Sequence, residues 1–435
     1  MREMKESGIE WIGEIPSSWK VSKVKYSYDV VLGKMLQPNQ KKDTEELVPY
    51  MCAANITWSG VDLSTEKQMW FSESEKSLYL LKNGDLLVTE GGDVAVSCIW
   101  NNELPLCCIQ NAVHRVRPKN DASNRYLYYW LYMLKSQGYI DLVCNKATLA
   151  HFTKEKLDRC FLVLPPSYEQ KRIASYLDAR CDEIDALIAA KEKTNALLRE
   201  RRQSIIYEAV TKGLDPNAPM KDSGVEWIGE IPEGWSTIRI RYLGSFQNGI
   251  SKAGEYFGSG NPFVSYSDVY KNEVLPTMPT GLIESTESER KLYSVEKGDI
   301  FFTRTSETKD EIGMVAVCQE TIPDATFAGF LIRMRPTNNC VSTDFLRYYF
   351  SCGLQREYFS KEMTLVTRAS LGQDLLKNMV VTIPPIVEQQ EIADFLDSQT
   401  HQINSIINHN NTLVHKLREY RQSLIYEAVT GKSEV

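Results

Sequence analysis

Ser7-Gly8-Ile9-Glu10-Trp11-Ile12-Gly13-Glu14-Ile15-Pro16 returns later in the chain as Ser223-Gly224-Val225-Glu226-Trp227-Ile228-Gly229-Glu230-Ile231-Pro232. A second decapeptide, Arg202-Gln203-Ser204-Ile205-Ile206-Tyr207-Glu208-Ala209-Val210-Thr211, returns as Arg421-Gln422-Ser423-Leu424-Ile425-Tyr426-Glu427-Ala428-Val429-Thr430. Each copy opens and closes alike, and the stretches between do not match. A shared frame with two different inserts predicts one scaffold that presents two different binding surfaces.

The spacing between copies locates the rigid part. The shift is 216 from Trp11 to Trp227, 214 from Gly84 to Gly298, and 219 both from Glu169 to Glu388 and from Tyr207 to Tyr426. Drift records insertions and deletions, which loops tolerate and packed helices do not. Each copy is therefore a variable globular part followed by a length-constrained one. The predicted divisions are a globule over 1–165, a helical spacer over 166–213, a second globule over 214–384 with a lead-in linker at 214–222, and a second spacer over 385–435.

Both spacers read as one long helix. The first begins after Pro165-Pro166, with Ser167 as a candidate N-cap and Gln170 completing a capping box; the second has Pro384-Pro385 and lacks that serine. Each stops at a glycine, Gly213 or Gly431, where a left-handed residue closes a helix at little cost. Inside them a 4-3 spacing runs through Leu177, Ile184, Ile188, Leu198 and Ile205, and again through Leu396, Ile403, Ile407, Leu417 and Leu424. That is the seam of a coiled coil, with polar layers at Lys191, Asn195 and Asn410. Two ordinary amphipathic helices, each lying on its own globule, is the plainer alternative. The order globule, helix, globule, helix makes the pair antiparallel, a ruler of roughly 65 Å for ~45 residues at ~1.5 Å each. The fold class expected is α+β with two long helices in an antiparallel coiled coil and approximate two-fold symmetry.

The globules mix strand and helix signals. Leu86-Leu87-Val88-Thr89 and Ile300-Phe301-Phe302-Thr303 read as strands entered by Gly-Asp turns. Aromatic-rich helices are expected over 125–134 and 344–350, their rings serving as core more than as a base-stacking platform.

Composition is that of an ordinary globular protein, with a net charge of −7 over 435 residues. Acidity argues weakly against nucleic acid, since phosphates need local cations, but net charge averages over a surface that can still hold a basic patch. Basic residues do cluster, at Lys20, Lys23, Lys25, Lys34, Lys41 and Lys42, and at Arg239, Arg241, Lys252, Arg290, Lys291, Arg304 and Lys309. Solvated surface charge is the plain reading of any one of them. Arg304-Thr305-Ser306 directly follows a strand, where a loop can project donors into a groove. Lys146-Ala147-Thr148 and Thr367-Arg368 occupy equivalent positions before each Pro-Pro pair. The DNA-facing candidates are thus Lys34, Lys146, Thr148, Lys252, Arg304, Thr305, Ser306, Lys309, Thr367 and Arg368. With no long apolar run and no leader-like start, no membrane role is expected, and the ten cysteines are expected to be reduced, in the cytoplasm. An enzyme's constellation is missing: no Asn-Pro-Pro-Tyr/Phe motif, no Walker-type loop, and no metal spacing among His114, His151, His401, His409 and His415.

Together, Ser-Gly-x-Glu-Trp-Ile-Gly-Glu-Ile-Pro before each globule, Pro-Pro-x-x-Glu-Gln-x-x-Ile-Ala at Pro165 to Ala174, and Arg-Gln-Ser-x-Ile-Tyr-Glu-Ala-Val-Thr at each close resemble the specificity subunit of type I restriction–modification systems. The resemblance covers almost the whole chain. It implies two target-recognition domains, each reading half of a bipartite, asymmetric site in double-stranded DNA. It also implies helical spacers that set their separation and dock two modification subunits. No catalysis and no cofactor are implied in this chain: S-adenosylmethionine, ATP and Mg2+ would serve the modification and the restriction/translocase subunits. A tandem protein-binding adapter of the same shape, with no DNA partner, is the competing reading.

Overall fold

A computed structural model describes residues 2–144, 150–306, 312–337, 340–355, 358–359 and 369–435. The chain forms two compact units, Met1–Glu192 with Asn411–Val435, and Lys193–Asn410.

In the first unit a four-stranded antiparallel sheet has the order Ser97–Ile99, Leu86–Thr89, Val113–Pro118, Tyr28–Leu32. A three-stranded sheet lies in the same unit, Cys108–Ile109 running parallel to Glu46–Met51, which pairs antiparallel with Lys67–Phe71. The second unit has the same two sheets. Its four strands are ordered Val315–Val317, Ile300–Thr303, Leu331–Pro336, Gly244–Asn248. Its three are Thr326–Phe327, parallel to Phe257–Val264, which pairs antiparallel with Gly281–Ile283. The inserts that looked unrelated thus share strand order and direction. Sequence likeness faded there because buried strands need only apolar bulk: Leu86, Leu87 and Val88 do the work of Ile300, Phe301 and Phe302, all fully buried.

Polar marks of the common fold survive. Asp85 accepts both forks of Arg117 at 2.6 and 2.7 Å, and Asp299 accepts both forks of Arg335 at 2.6 and 2.7 Å. Each aspartate also holds its own turn, accepting from the backbone N–H of Lys82 or Glu296. The aromatic-rich helices are Asn124–Ser136 and Thr343–Ser351. Tyr126, Tyr129, Trp130, Phe345, Tyr349 and Phe350 are buried in the cores, as their spacing predicts.

The long helices run over Ser167–Lys212 and Ile386–Thr430. Most of their 4-3 positions are buried: Leu177, Ile184 and Ile188 with Val414 and Leu424 in the first unit, Leu396, Ile403 and Ile407 in the second. Leu198, Ile205 and Leu417 are half-buried. Within each unit the two helices pair antiparallel. Arg421 meets Asp185 at 3.2 Å and Arg418 meets Glu192 at 2.8 Å in the first, and Asn410 Nδ2 donates to Asn195 Oδ1 at 2.9 Å in the second. Asn195 and Asn410 are 3% and 4% exposed, so the polar layer is a buried amide pair.

The helix starts differ from expectation. Ser167 is not the cap. The carbonyl of Pro166 accepts from the N–H groups of Glu169 and Gln170 at 2.9 and 3.0 Å, while Ser167 Oγ turns to Asp121 O at 2.6 Å. Gln170 does not reach back along its helix. It donates to Pro165 O at 2.9 Å and accepts from Ser123 N–H at 3.0 Å, pinning the long helix to the aromatic one. Gln389 repeats both bonds with Pro384 O and Ser342 N–H, at 2.8 and 2.7 Å. The absent serine in copy two costs nothing, because a glutamine and a proline do the capping in both.

Indoles anchor the same junctions. Trp19 Nε1 donates to Glu169 at 2.6 Å and Trp235 Nε1 to Glu388 at 2.9 Å. Burying each indole is worth about 5 kcal/mol before side-chain ordering is subtracted. Gly213 and Gly431 have φ of +76° and +74°, as the C-terminal role requires. A Cβ on Gly431 would lie 2.4 Å from the Pro16 ring, and one on Gly213 3.4 Å from Trp235. None of the ten cysteines forms a disulfide, and burial pushes the Cys98 and Cys160 thiols up to about 12. Among the described residues no helix is long and apolar enough to cross a membrane.

Candidate nucleic-acid interface

Strands Leu86–Thr89 and Ile300–Thr303 end on buried threonines. Thr89 N–H donates to Val96 O at 2.9 Å and its Oγ1 accepts from Val96 N–H at 3.0 Å. Thr303 makes the same two bonds with Met314, both at 2.9 Å. Ala95 N–H returns to Thr89 O and Gly313 N–H to Thr303 O, with φ of +63° and +67° at Ala95 and Gly313. Val94 and Ile312, the preceding residues, are 3% and 2% exposed. Two identically rooted loops therefore differ in length: 90–94 holds five residues and 304–312 holds nine. The shift between copies steps here from 214 at Thr89 to 218 at Val96.

A second loop reaches each root from the far side. Glu90 N–H donates to Ala112 O at 2.8 Å, and Glu90 O accepts from Phe152 N–H at 2.8 Å. Arg304 N–H donates to Phe330 O at 2.9 Å, and Arg304 O accepts from Leu371 N–H at 2.7 Å. Beyond Arg304, Thr305 pairs with Ser370 and Ser306 with Ala369. The predicted candidates Arg304, Thr305 and Ser306 thus come together with the strand that follows Thr367-Arg368. In the first unit the chain after Lys146-Ala147-Thr148 meets Glu90. Lys146, Thr148, Lys309, Thr367 and Arg368 themselves lie outside the described residues.

The other two candidates sit elsewhere. Lys34 is 7% exposed, its ammonium bonded to Trp70 O at 2.7 Å and Glu75 Oε2 at 2.6 Å. Lys252 donates to Glu284 O and to Glu289 Oε2, both at 2.8 Å. Each glutamate is the N3 partner of a capping box, with Ser72 and Thr286 respectively. The hydrogen bond from Lys252, with the Thr286 N–H behind it, holds the Glu289 carboxyl down to about 2. Both lysines spend their charge inside their own unit. Arg290 likewise pairs with Asp324 at 3.1 Å.

Three residues of the paired-loop site escaped sequence reading. Glu90, half-buried, stands where Arg304 stands in the second unit, and Phe330, 63% exposed, stands beside Arg304. His151 is exposed next to Gly91. The signal was present in Thr89-Glu90 against Thr303-Arg304 at the 214 shift, but a single shared threonine does not announce itself. Chemically the site offers backbone-fixed loops with one acceptor-bearing and one donor-bearing side chain at equal positions. A carboxylate and a guanidinium are side chains able to hydrogen-bond to base edges, and polar groups beside them to phosphate oxygens.

Comparison with known proteins agrees with this architecture. The model of the type I restriction modification DNA specificity domain matches twice, over residues 16–197 and 232–415. The EcoBI specificity subunit of Escherichia coli is 23% identical, over 99% of this chain and 90% of its own length. The EcoKI specificity subunit of Escherichia coli strain K12 is 22% identical, over 97% and 90%, and the MjaVIII specificity subunit of Methanocaldococcus jannaschii 20%, over 97% and 94%. Among solved structures, a chain from work on complex assembly and conformational transition of the type I R-M system superposes with a TM-score of 0.73. It is 15% identical, and the match covers 96% of this chain and 99% of that one. The HsdS subunit from Thermoanaerobacter tengcongensis gives 0.53 at 16% identity, covering 96% and 98%. These matches decide against the adapter reading. The chain belongs to the DNA specificity family of type I restriction–modification systems, and its two tandem domains recognise DNA sequence without catalysing a reaction.

Proposed function

We propose that each domain meets its half of a bipartite DNA site through the paired loops rooted at Thr89 and Thr303. The observation that carries this reading is the common root: identical backbone bonds present loops of different length whose first side chains, Glu90 and Arg304, are opposite in charge. In this reading Arg304, Thr305, Ser306, Lys309, Thr367 and Arg368 face DNA from the second domain and Lys146 and Thr148 from the first. Lys34 and Lys252 shape the domains instead. The helix pair sets the separation of the half-sites and docks two modification subunits. S-adenosylmethionine serves those subunits, and ATP and Mg2+ serve restriction/translocase subunits. The chain itself holds none of these groups.

Mapping methylated adenines in a genome with and without this chain tests the reading and supplies the target sequence. Replacing 1–165 by the same region of a relative is expected to change one half of that sequence. Change in both halves would overturn the modular reading. In gel shifts with modification subunits present, affinity is expected to fall steeply with salt, log K declining by ~0.9 per phosphate contacted. A flat salt response would remove the phosphate-contacting clamp.

A further inference from the structure

Glu90 and Arg304 hold the same backbone position in two domains that otherwise share their fold. Each donates its N–H to the turn residue just before the neighbouring strand, Ala112 or Phe330, and each accepts from the residue closing the second loop, Phe152 or Leu371. Each directly follows a buried threonine whose hydroxyl closes the loop. The main chain therefore aims both side chains from one frame, and the chemistry at their tips is opposite.

Among the described residues, neither tip has a hydrogen-bond partner within its domain. Among the described residues no hydrogen bond or ion pair holds the Arg304 guanidinium, whereas Lys252, Arg290, Arg333 and Arg335 all have internal acceptors. Glu90 has no cation bonded to it among those residues. Burial pushes its carboxyl up, with the charge of His151 opposing and that of Glu155 adding to the rise. A half-buried carboxylate without a donor costs free energy that an incoming amino group would relieve. Phe330, 63% exposed beside Arg304, leaves an apolar face uncovered at the same spot.

We propose that Glu90 and Arg304 are equivalent base-reading positions of opposite hydrogen-bond polarity, Glu90 accepting from the N4 amino group of a cytosine and Arg304 donating to O6 and N7 of a guanine. The inference rests on the reading that the paired loops face DNA. It follows that the two half-sites differ at corresponding steps because the same geometric slot holds an acceptor in one domain and a donor fork in the other. Phe330 lies against the neighbouring base, where a thymine methyl fits an aromatic edge.

The test uses the full chain assembled with its modification subunits, S-adenosylmethionine and a library of random duplex DNA, with methylated sequences read out. Arg304→Ala is expected to erase a guanine preference of about ten- to a hundredfold at one step of one half-site. Glu90→Gln is expected to do the same to a cytosine in the other half-site, with adenine gaining because an amide pairs with its N6 and N7. The untouched half-site, still read, reports that each variant is folded. If affinity falls equally for all sequences and the salt slope drops by about one, the side chain contacts phosphate; base reading is overturned and the DNA-facing loops stand. If neither affinity nor sequence changes, both readings are overturned.

Discussion

Asp299 is 1% exposed and has its carboxylate filled by Arg335 and by the N–H of Glu296. Asp299→Ala leaves Arg335 with Glu296 and Ser294 but strips the Glu296 N–H and one face of the guanidinium of their acceptor, and is expected to destabilise the second unit by about 1–3 kcal/mol. Scanning calorimetry is expected to show the loss in one transition only; an unshifted scan would deny the pair its structural role. Glu169 gives the acid-side counterpart. Burial raises its carboxyl, but hydrogen bonds from Trp19 Nε1, Arg2 and Tyr168 outweigh it and hold the group below its ordinary value. A carboxyl depressed in the folded state adds stability that is complete above the unfolded value and is lost as pH falls through the folded one. Glu169→Gln is therefore expected to flatten the decline in thermal midpoint of the first unit between about pH 5 and pH 2. An unchanged slope would contradict this account. Residues such as these were legible as matched positions, Glu169 with Glu388 and Gly84-Asp85 with Gly298-Asp299, yet their partners were not. Arg117 and Arg335 are strand residues whose meaning depends on a fold in which 32 or 36 positions close into one contact.

At the scale of elements, the long helices were readable because a 4-3 repeat is a local signal; most seam positions are buried, but near the helix ends Ile206, Val210, Ile425 and Val429, off the repeat, are fully buried. The helix starts were misread because capping by Gln170 and Gln389 is tertiary, reaching Ser123 and Ser342 on another helix. Between the helices, the Asn195–Asn410 amide pair interrupts an apolar seam. Asn195→Leu strands the Asn410 amide and is expected to cost about 1–3 kcal/mol. Asn195→Leu with Asn410→Leu is expected to recover that loss while loosening the register the pair enforces. A double-mutant cycle read by thermal unfolding measures both, and purely additive effects would show that the amides do not act as a pair. Strand elements were partly legible, Leu86–Thr89 and Ile300–Thr303 among them. The three-stranded sheets were not, since Cys108–Ile109 and Thr326–Phe327 are two-residue strands with no periodicity to read.

Over the whole molecule the consequence of the repeat is metric. Seven residues inserted into each long helix add about 10 Å at ~1.5 Å per residue, or about three base pairs at ~3.4 Å each. Modification subunits assembled with such a variant are expected to methylate the same two half-sites across a gap wider by about three base pairs, as adenine mapping would show; altered half-sites would mean the helices contribute to reading. What whole-chain reading missed was the depth of the likeness between the domains, because topology persists where side chains have been exchanged wholesale. The loops rooted at Thr89 and Thr303 carry that point furthest. Four residues separate their lengths, yet Val94 and Ile312 return to the core and Ala95 and Gly313 resume the same left-handed turn. Inheritance can therefore lengthen, shorten or rewrite this one segment without renegotiating the core beneath it. With these loops facing DNA as proposed, a lineage could change the sequence it recognises through small, local and independently heritable edits, one domain at a time.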